Sequence, residues 1–310
     1  MARLDESACG VFIIAATPFA EDGAVDLASV DRLTDFYLGH GVTGLTLLGM
    51  MGEAPKLLPE ESSAVVARVL KRTGGRVPVV VGVSAGGLGP LRALALDVMA
   101  QGAAGVMVAP AAGLKGDDGV VNYFTEVAEA LGPEVPLVYQ DYPQATGVYL
   151  SVPAFNRMVD RLPQLVMLKH EDCPGLAKLS RVRASAGEGR RRRVSILVGN
   201  GGLYYPQELA RGADGAMTGF AYPEMLVEVY RRFAAGDAER GEDLFDAYLP
   251  LVRHEQQPGI GLAIRKEILF RRGAIRCPKV RAPGPALSAD DHRELDNLTR
   301  RLERRLATIS

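Results

Sequence analysis

The chain is poor in the residues that usually announce special chemistry or an unusual environment. Cysteine occurs three times, at Cys9, Cys173 and Cys277, scattered and never in a CxxC spacing. That excludes a disulfide framework and a thiolate metal site, and fits a reduced, cytoplasmic setting. Histidine occurs four times without a paired ligand spacing, so no catalytic metal is expected. Net charge is equally scarce: −1, with a pI near 6.5. No electrostatic footprint for nucleic acid results, and the one basic run, Arg190 to Arg193, reads as a solvated loop. Apolar runs are all shorter than the ~18 residues of a membrane span, and the mixed-charge start, MARLDESACG, has no signal-peptide core. No membrane role and no targeting leader are expected.

What is present is a repeating pattern. Eight short apolar runs begin at Val11, Thr43, Val77, Ala104, Val135, Leu165, Val194 and Asp214. They are continuous rather than alternating, as parallel strands buried on both faces require. Spacings of roughly 25 to 35 residues leave room for one crossover helix each. Asp26 is placed to cap LASVDRLTDFYLGHG, and PEESSAVVARVLKRTGG has proline at its start and glycine at its stop. Eight such units predict a closed (β/α)8 barrel over residues 1–222. An open doubly wound sheet is the alternative, but no GxGxxG turn follows the first strand. From residue 223 to 310 the strand signal disappears and three helical patterns remain, the middle one interrupted near Gln257, Pro258 and Gly259. This C-terminal helical region has no linker before it and is expected to pack on the barrel.

In such barrels chemistry sits at the C-terminal ends of the strands. Candidates there are Thr17, Met50, Met51, Gly52, Glu53, Tyr139, Asp141, Lys169, Gly199, Asn200, Met217 and Thr218. Lys169 is the unusual one. It ends the apolar run LVMLK, where burial disfavours the ammonium, and the free amine is the form that attacks a ketone. Tyr139 ends the neighbouring strand and is expected to move protons beside it. The alternative is structural, with Lys169 paired to Glu171 or Asp172 and Tyr139 half-buried core. His170 should face away from the barrel interior by strand alternation, and His254 and Glu255 read as structural.

The segments GVFIIAATPF, GVTGLTLLGMMGEAPKLLPEE, GRVPVVVGV, VPLVYQDYPQATG, LVMLKHED and SILVGNGG resemble, in order and spacing, those of the dihydrodipicolinate synthase and N-acetylneuraminate lyase family over essentially the whole chain. The resemblance implies a (β/α)8 barrel with C-terminal helices and a homo-oligomer, dimer or tetramer. It also implies a cofactor-independent class I lyase that joins, cleaves or dehydrates small 2-keto acids such as pyruvate. Lys169 then matches the Schiff-base lysine and Tyr139 the catalytic tyrosine. Backbone groups near Met51, Gly52, Gly199 and Met217 would hold the carboxylate and hydroxyls, and Glu53 would brace the loop.

The departures are informative. The family's glycine-threonine-threonine-glycine-glutamate loop reads GMMGE, Gly49 to Glu53, so two thioethers replace two hydroxyls. The second relay tyrosine falls near Ala111 and Ala112, and the carboxylate-clamping arginine near Gln144 or Ala145. YQDYPQATG holds one residue more than the synthase loop. That stretch and HEQQPGIG look more like the branch of 2-keto-3-deoxy sugar acid dehydratases. Two other readings stand beside it: dihydrodipicolinate synthase-like condensation, and a catalytically impaired ligand-binding or regulatory barrel.

Overall fold

A computed structural model describes residues 3–187 and 190–309. The strands are β1 (Gly10–Ile14), β2 (Gly44–Leu47), β3 (Val79–Gly82), β4 (Gly105–Val108), β5 (Leu137–Asp141), β6 (Leu165–His170), β7 (Ser195–Val198) and β8 (Gly215–Ala216). All pair in parallel, in sequence order, and β8 returns to β1 to close the barrel. The helices are α1 (Leu27–Gly39), α2 (Pro59–Thr73), α3 (Leu88–Gln101), α4 (Gly116–Leu131), α5 (Pro143–Thr146), α6 (Val152–Arg161), α7 (Leu176–Ala184), α8 (Tyr205–Ala210), α9 (Pro223–Ala234), α10 (Ala238–Glu255), α11 (Gly261–Arg271) and α12 (Ala289–Ile309).

Local chemistry sets the ends of these elements. Asp26 caps α1 by accepting from the Ser29 N–H at 3.0 Å. Pro59 opens α2, and Gly74 closes it with φ 56°, a left-handed stop that glycine adopts at no steric cost.

Burial on both faces of every strand divides the core in two. An inner core fills the barrel with Phe12, Ile14, Val80, Met107, Val138, Met167, Leu197 and Met217, and Leu4 joins it. An outer core lies between sheet and helices and includes Val11, Leu45, Val81, Tyr139, Leu168 and Ile196. Fully burying one such aliphatic side chain contributes about 1.5–3 kcal/mol. Which face a residue takes therefore fixes whether it can reach the mouth.

Helix α9 follows β8 and packs against β1 and α8, which makes it the eighth helix of the ring. A boundary at residue 222 therefore falls between β8 and the helix that follows it in the eighth βα unit. The appended helices are α10, α11 and α12. The chain breaks between α10 and α11 at Gln256 to Ile260, around Pro258 and Gly259. No helix among the described residues is long and apolar enough to cross a membrane.

Candidate active site

The C-terminal ends of the strands open into a cavity of about 420 Å³, walled on one side by the α10–α11 connection. That volume lies within the usual range for small-molecule pockets. Lys169 lines it from the end of β6 and is only 2% exposed, with Nζ 2.8 Å from Glu171 Oε2. The two charges are buried together, which removes the penalty an isolated ammonium would carry.

Glu171 is held from two sides. Gln140 Nε2 donates to its Oε2 at 2.7 Å, and Asn200 Nδ2 donates to its backbone carbonyl at 3.0 Å. Gly199 leaves room for this carboxylate: a Cβ there would lie 2.3 Å from the Glu171 side chain. Leu48, Glu53 and Asn200 adopt positive φ of 51–53°, and all three follow strand ends on the cavity side. Left-handed backbone at non-glycine residues costs energy and gathers where a site needs particular directions.

Tyr139 does not reach this cavity. Its ring packs in the outer core, edge-on to Phe124 of α4 at 4.9 Å and near Phe155 of α6 at 6.0 Å. Its hydroxyl donates to Asp141 Oδ1 at 3.3 Å. Burial, followed by the Asp141 charge, holds the phenol well above its ordinary pKa. The reason is register. Gln140 pairs with Lys169 across β5 and β6, so Gln140 shares the lysine's inward face and Tyr139 the opposite one. Asp141 is turned the same way as Tyr139: it is fully buried and bound to Lys178 of α7 at 2.7 Å, outside the mouth. His170 faces away too, with Nε2 3.1 Å from the Gly175 carbonyl.

The remaining candidates divide. Met50, Met51, Asn200 and Thr218 line the cavity. Thr17 spends its hydroxyl on the Gly52 carbonyl at 2.7 Å. The N–H groups of Gly52, Gly199 and Met217 are bonded to Gly49, His170 and Val198, so they are not free to hold a ligand. Met217 itself belongs to the inner core. Glu53 is buried and tied to Lys56 Nζ at 2.8 Å, Lys266 Nζ at 2.5 Å and the Arg281 N–H at 3.0 Å, which locks the GMMGE loop to the C-terminal region.

Among the lining residues not singled out for the site from the sequence are Gln140, Tyr142, Glu171, Gln256 and Arg265. Tyr142 is half-buried, and burial followed by the Glu171 charge raises its phenol, which therefore stays protonated. Arg265, on α11, is 2% exposed and donates from Nε to Glu255 Oε2 at 2.7 Å. The signal for it was a run of three charges, Arg265 to Glu267, inside an otherwise apolar helix.

Comparisons with known proteins agree with this architecture. The model of the dihydrodipicolinate synthetase family matches residues 7–302. An L-2-keto-3-deoxyarabonate dehydratase of Azospirillum brasilense is 30% identical, covering 95% of this chain and 94% of that protein. A 4-hydroxy-tetrahydrodipicolinate synthase of Sorangium cellulosum is 31% identical, covering 96% of each. The crystal structure of a dihydrodipicolinate synthase from Rhodopseudomonas palustris superposes with a TM-score of 0.95 at 46% identity, covering 97% of this chain and all of that one. With the barrel closed in the expected order and a buried lysine at its mouth, the chain belongs to the dihydrodipicolinate synthetase family.

Proposed function

We propose that the protein is a class I lyase that dehydrates or cleaves a small 2-keto acid of the 2-keto-3-deoxy sugar acid type through a Schiff base on Lys169. The observation that carries this reading is the buried Lys169–Glu171 pair at the mouth of the barrel, 2.8 Å apart. A carboxylate at that distance accepts the ammonium proton and leaves the amine free to add to the ketone carbon. Glu171 returns that proton to the carbinolamine hydroxyl, which departs as water, and the iminium that forms draws electrons from the neighbouring carbon. Glu171 is placed to take the C3 proton, held in position by Gln140 and Asn200. For dehydration the C4 hydroxyl then leaves with a proton from the Tyr142 phenol. For cleavage the C3–C4 bond breaks instead, the C4 hydroxyl giving its proton to the Glu171 carboxylate, which hands it to C3 of the resulting enamine. Hydrolysis of the imine releases product and regenerates Lys169. No cofactor is needed in either sequence, because the iminium itself is the electron sink.

The likeness to the Azospirillum dehydratase supports the sugar-acid substrate. The likenesses to synthases favour condensation as the second reading. Against it, neither Gln144 nor Ala145, where the resemblance placed an arginine, is one, and the Gln144 amide donates to the Cys173 carbonyl at 2.7 Å. A cytoplasmic homo-oligomer completes the proposal. The test is a panel of 2-keto-3-deoxy pentonates and hexonates, with pyruvate plus an aldehyde as the condensation arm. Turnover of the sugar acids supports the reading, and condensation alone would replace it with the second.

A further inference from the structure

Five amide side chains line the cavity, and four of them are engaged within the protein. Gln140 Nε2 donates to the Glu171 carboxylate at 2.7 Å, Asn200 Nδ2 to the Glu171 carbonyl at 3.0 Å, Gln144 Nε2 to the Cys173 carbonyl at 2.7 Å and Gln257 Nε2 to the His254 carbonyl at 2.9 Å. Gln256 is the fifth. It lines the same cavity from the end of α10, and its side-chain amide makes no hydrogen bond among the described residues. The backbone beneath it is shaped to admit it. Gly201, just past β7, has φ 65°, and a Cβ there would lie 2.5 Å from Gln256 Cδ, so glycine leaves the room in which this side chain rests.

The reacting end of a 2-keto acid has its partners elsewhere. The resemblance puts the C1 carboxylate on the loop after β2, where the Met50 and Met51 N–H groups enter no described hydrogen bond. The ketone goes to Lys169 on β6, which stands across the barrel from β2. C3 goes to Glu171, which is flanked by Asn200 at the β7 end, so the carbons beyond C3 continue along that side. The C4 hydroxyl takes part in the reaction itself, and the next oxygen of a sugar acid is the C5 hydroxyl. Two other polar groups without a described partner lie away from β7: Arg265 Nη1 beside Gly219 and Met51, and the Thr218 hydroxyl at the end of β8. Resting on the Schiff-base reading above, we infer that Gln256 is a specificity-determining residue whose amide binds the C5 hydroxyl of a 2-keto-3-deoxy sugar acid. An amide both donates and accepts, which matches a hydroxyl and not a methyl group. The connection between α10 and α11 then reads the far end of a substrate whose reacting end the barrel holds.

The experiment crosses a substrate change with a side-chain change. 2-Keto-3-deoxypentonate and its 5-deoxy counterpart, 2-keto-4-hydroxypentanoate of the same C4 configuration, are given to the wild type and to Gln256→Met, which keeps the side-chain length and removes the amide. A neutral hydrogen bond corresponds to roughly 3- to 10-fold, so the wild type should favour the C5 hydroxyl by about that factor in kcat/KM, and Gln256→Met should bring the ratio to about 1. A wild type without the preference, or a variant that keeps it, overturns the inference. A merely structural role would slow both substrates alike and leave the ratio where it was. Should Gln256→Met lose its circular dichroism, Gln256→Leu serves instead under the same criterion. Borohydride trapping with pyruvate, which has no C5, runs in parallel. No lysine adduct in the wild type removes the Schiff base and the inference with it. An adduct with an unaltered ratio in the variant removes only the role of Gln256, and an adduct without turnover of either sugar acid removes that role together with the sugar-acid substrate.

Discussion

At the scale of single residues, Tyr139, the tyrosine singled out in the sequence, lies in the outer core, and Tyr142 lines the cavity instead. Tyr139→Phe removes a hydroxyl whose hydrogen bond among the described residues is to Asp141, so it should leave turnover close to wild type and cost about 1 kcal/mol of stability. Tyr142→Phe removes a protonated phenol on the cavity wall and should slow turnover by about 10²- to 10⁴-fold with the fold retained. Steady-state rates and urea midpoints of both variants decide between them, and a slow Tyr139→Phe with a normal Tyr142→Phe would reverse the assignment. Glu208 on α8 gives a separate pH signature. Burial, followed by the Glu171 charge, raises its pKa from 4.5 to about 8. Between those values the unfolded chain has released the proton and the folded chain still holds it, so stability falls as pH rises through that window. Glu208→Gln should flatten this decline, measured as urea unfolding at pH 5, 6.5 and 8; an unchanged slope would place its origin elsewhere.

At the scale of elements, the strands and their order were legible because parallel strands buried on both faces must read as continuous apolar runs. The break between α10 and α11 was legible in Gln257, Pro258 and Gly259 for an equally local reason. Lys169 stood out because a lysine ends one of those runs. What the sequence does not carry is the register between β5 and β6. Leu137 pairs with Leu165 but Val138 with Met167, an irregularity that adds one residue on β6. A one-residue slip moves every following side chain to the other face. It turns Lys169 inward beside Gln140 and His170 outward, whereas Tyr139 and Asp141 face the helices by plain alternation from Leu137, and no local pattern marks where the extra residue occurs. Arg265 was hidden for a different reason, since it arrives from a helix about a hundred residues away in sequence. The β7 end makes a prediction of its own. Gly199→Ala should displace the Glu171 carboxylate, because the new Cβ would lie 2.3 Å from it. Turnover should fall by at least ~10²-fold, as for a lost acid or base, while pyruvate still protects against thermal unfolding. Normal turnover would mean that Glu171 does not act there.

At the scale of the whole molecule, the barrel supplies Lys169 and Glu171, and the appended helices supply Glu255 and Arg265. One cavity thus depends on both. Glu53, Lys56, Lys266 and Arg281 fasten the GMMGE loop to that region, so loosening it should disturb the site before it disturbs the barrel. The surface bears on association. Leu58, Tyr149 and Tyr204 are 57%, 65% and 43% exposed, apolar side chains available for a second copy to cover. Light scattering at micromolar concentration should give a multiple of the 33.1 kDa chain mass, and a single-chain mass would contradict the proposed oligomer.

The central claim, a Schiff base on Lys169, is tested most directly by adding pyruvate and then borohydride to the protein and mapping the product by peptide mass spectrometry. Reduction turns the transient imine into a stable secondary amine. The account predicts one adduct, on the peptide carrying Leu168, Lys169 and His170, absent from Lys169→Ala and from Lys169→Arg, whose guanidinium stays protonated and cannot attack. An adduct on another lysine such as Lys56 or Lys178, or full turnover by a folded Lys169→Ala, would contradict it.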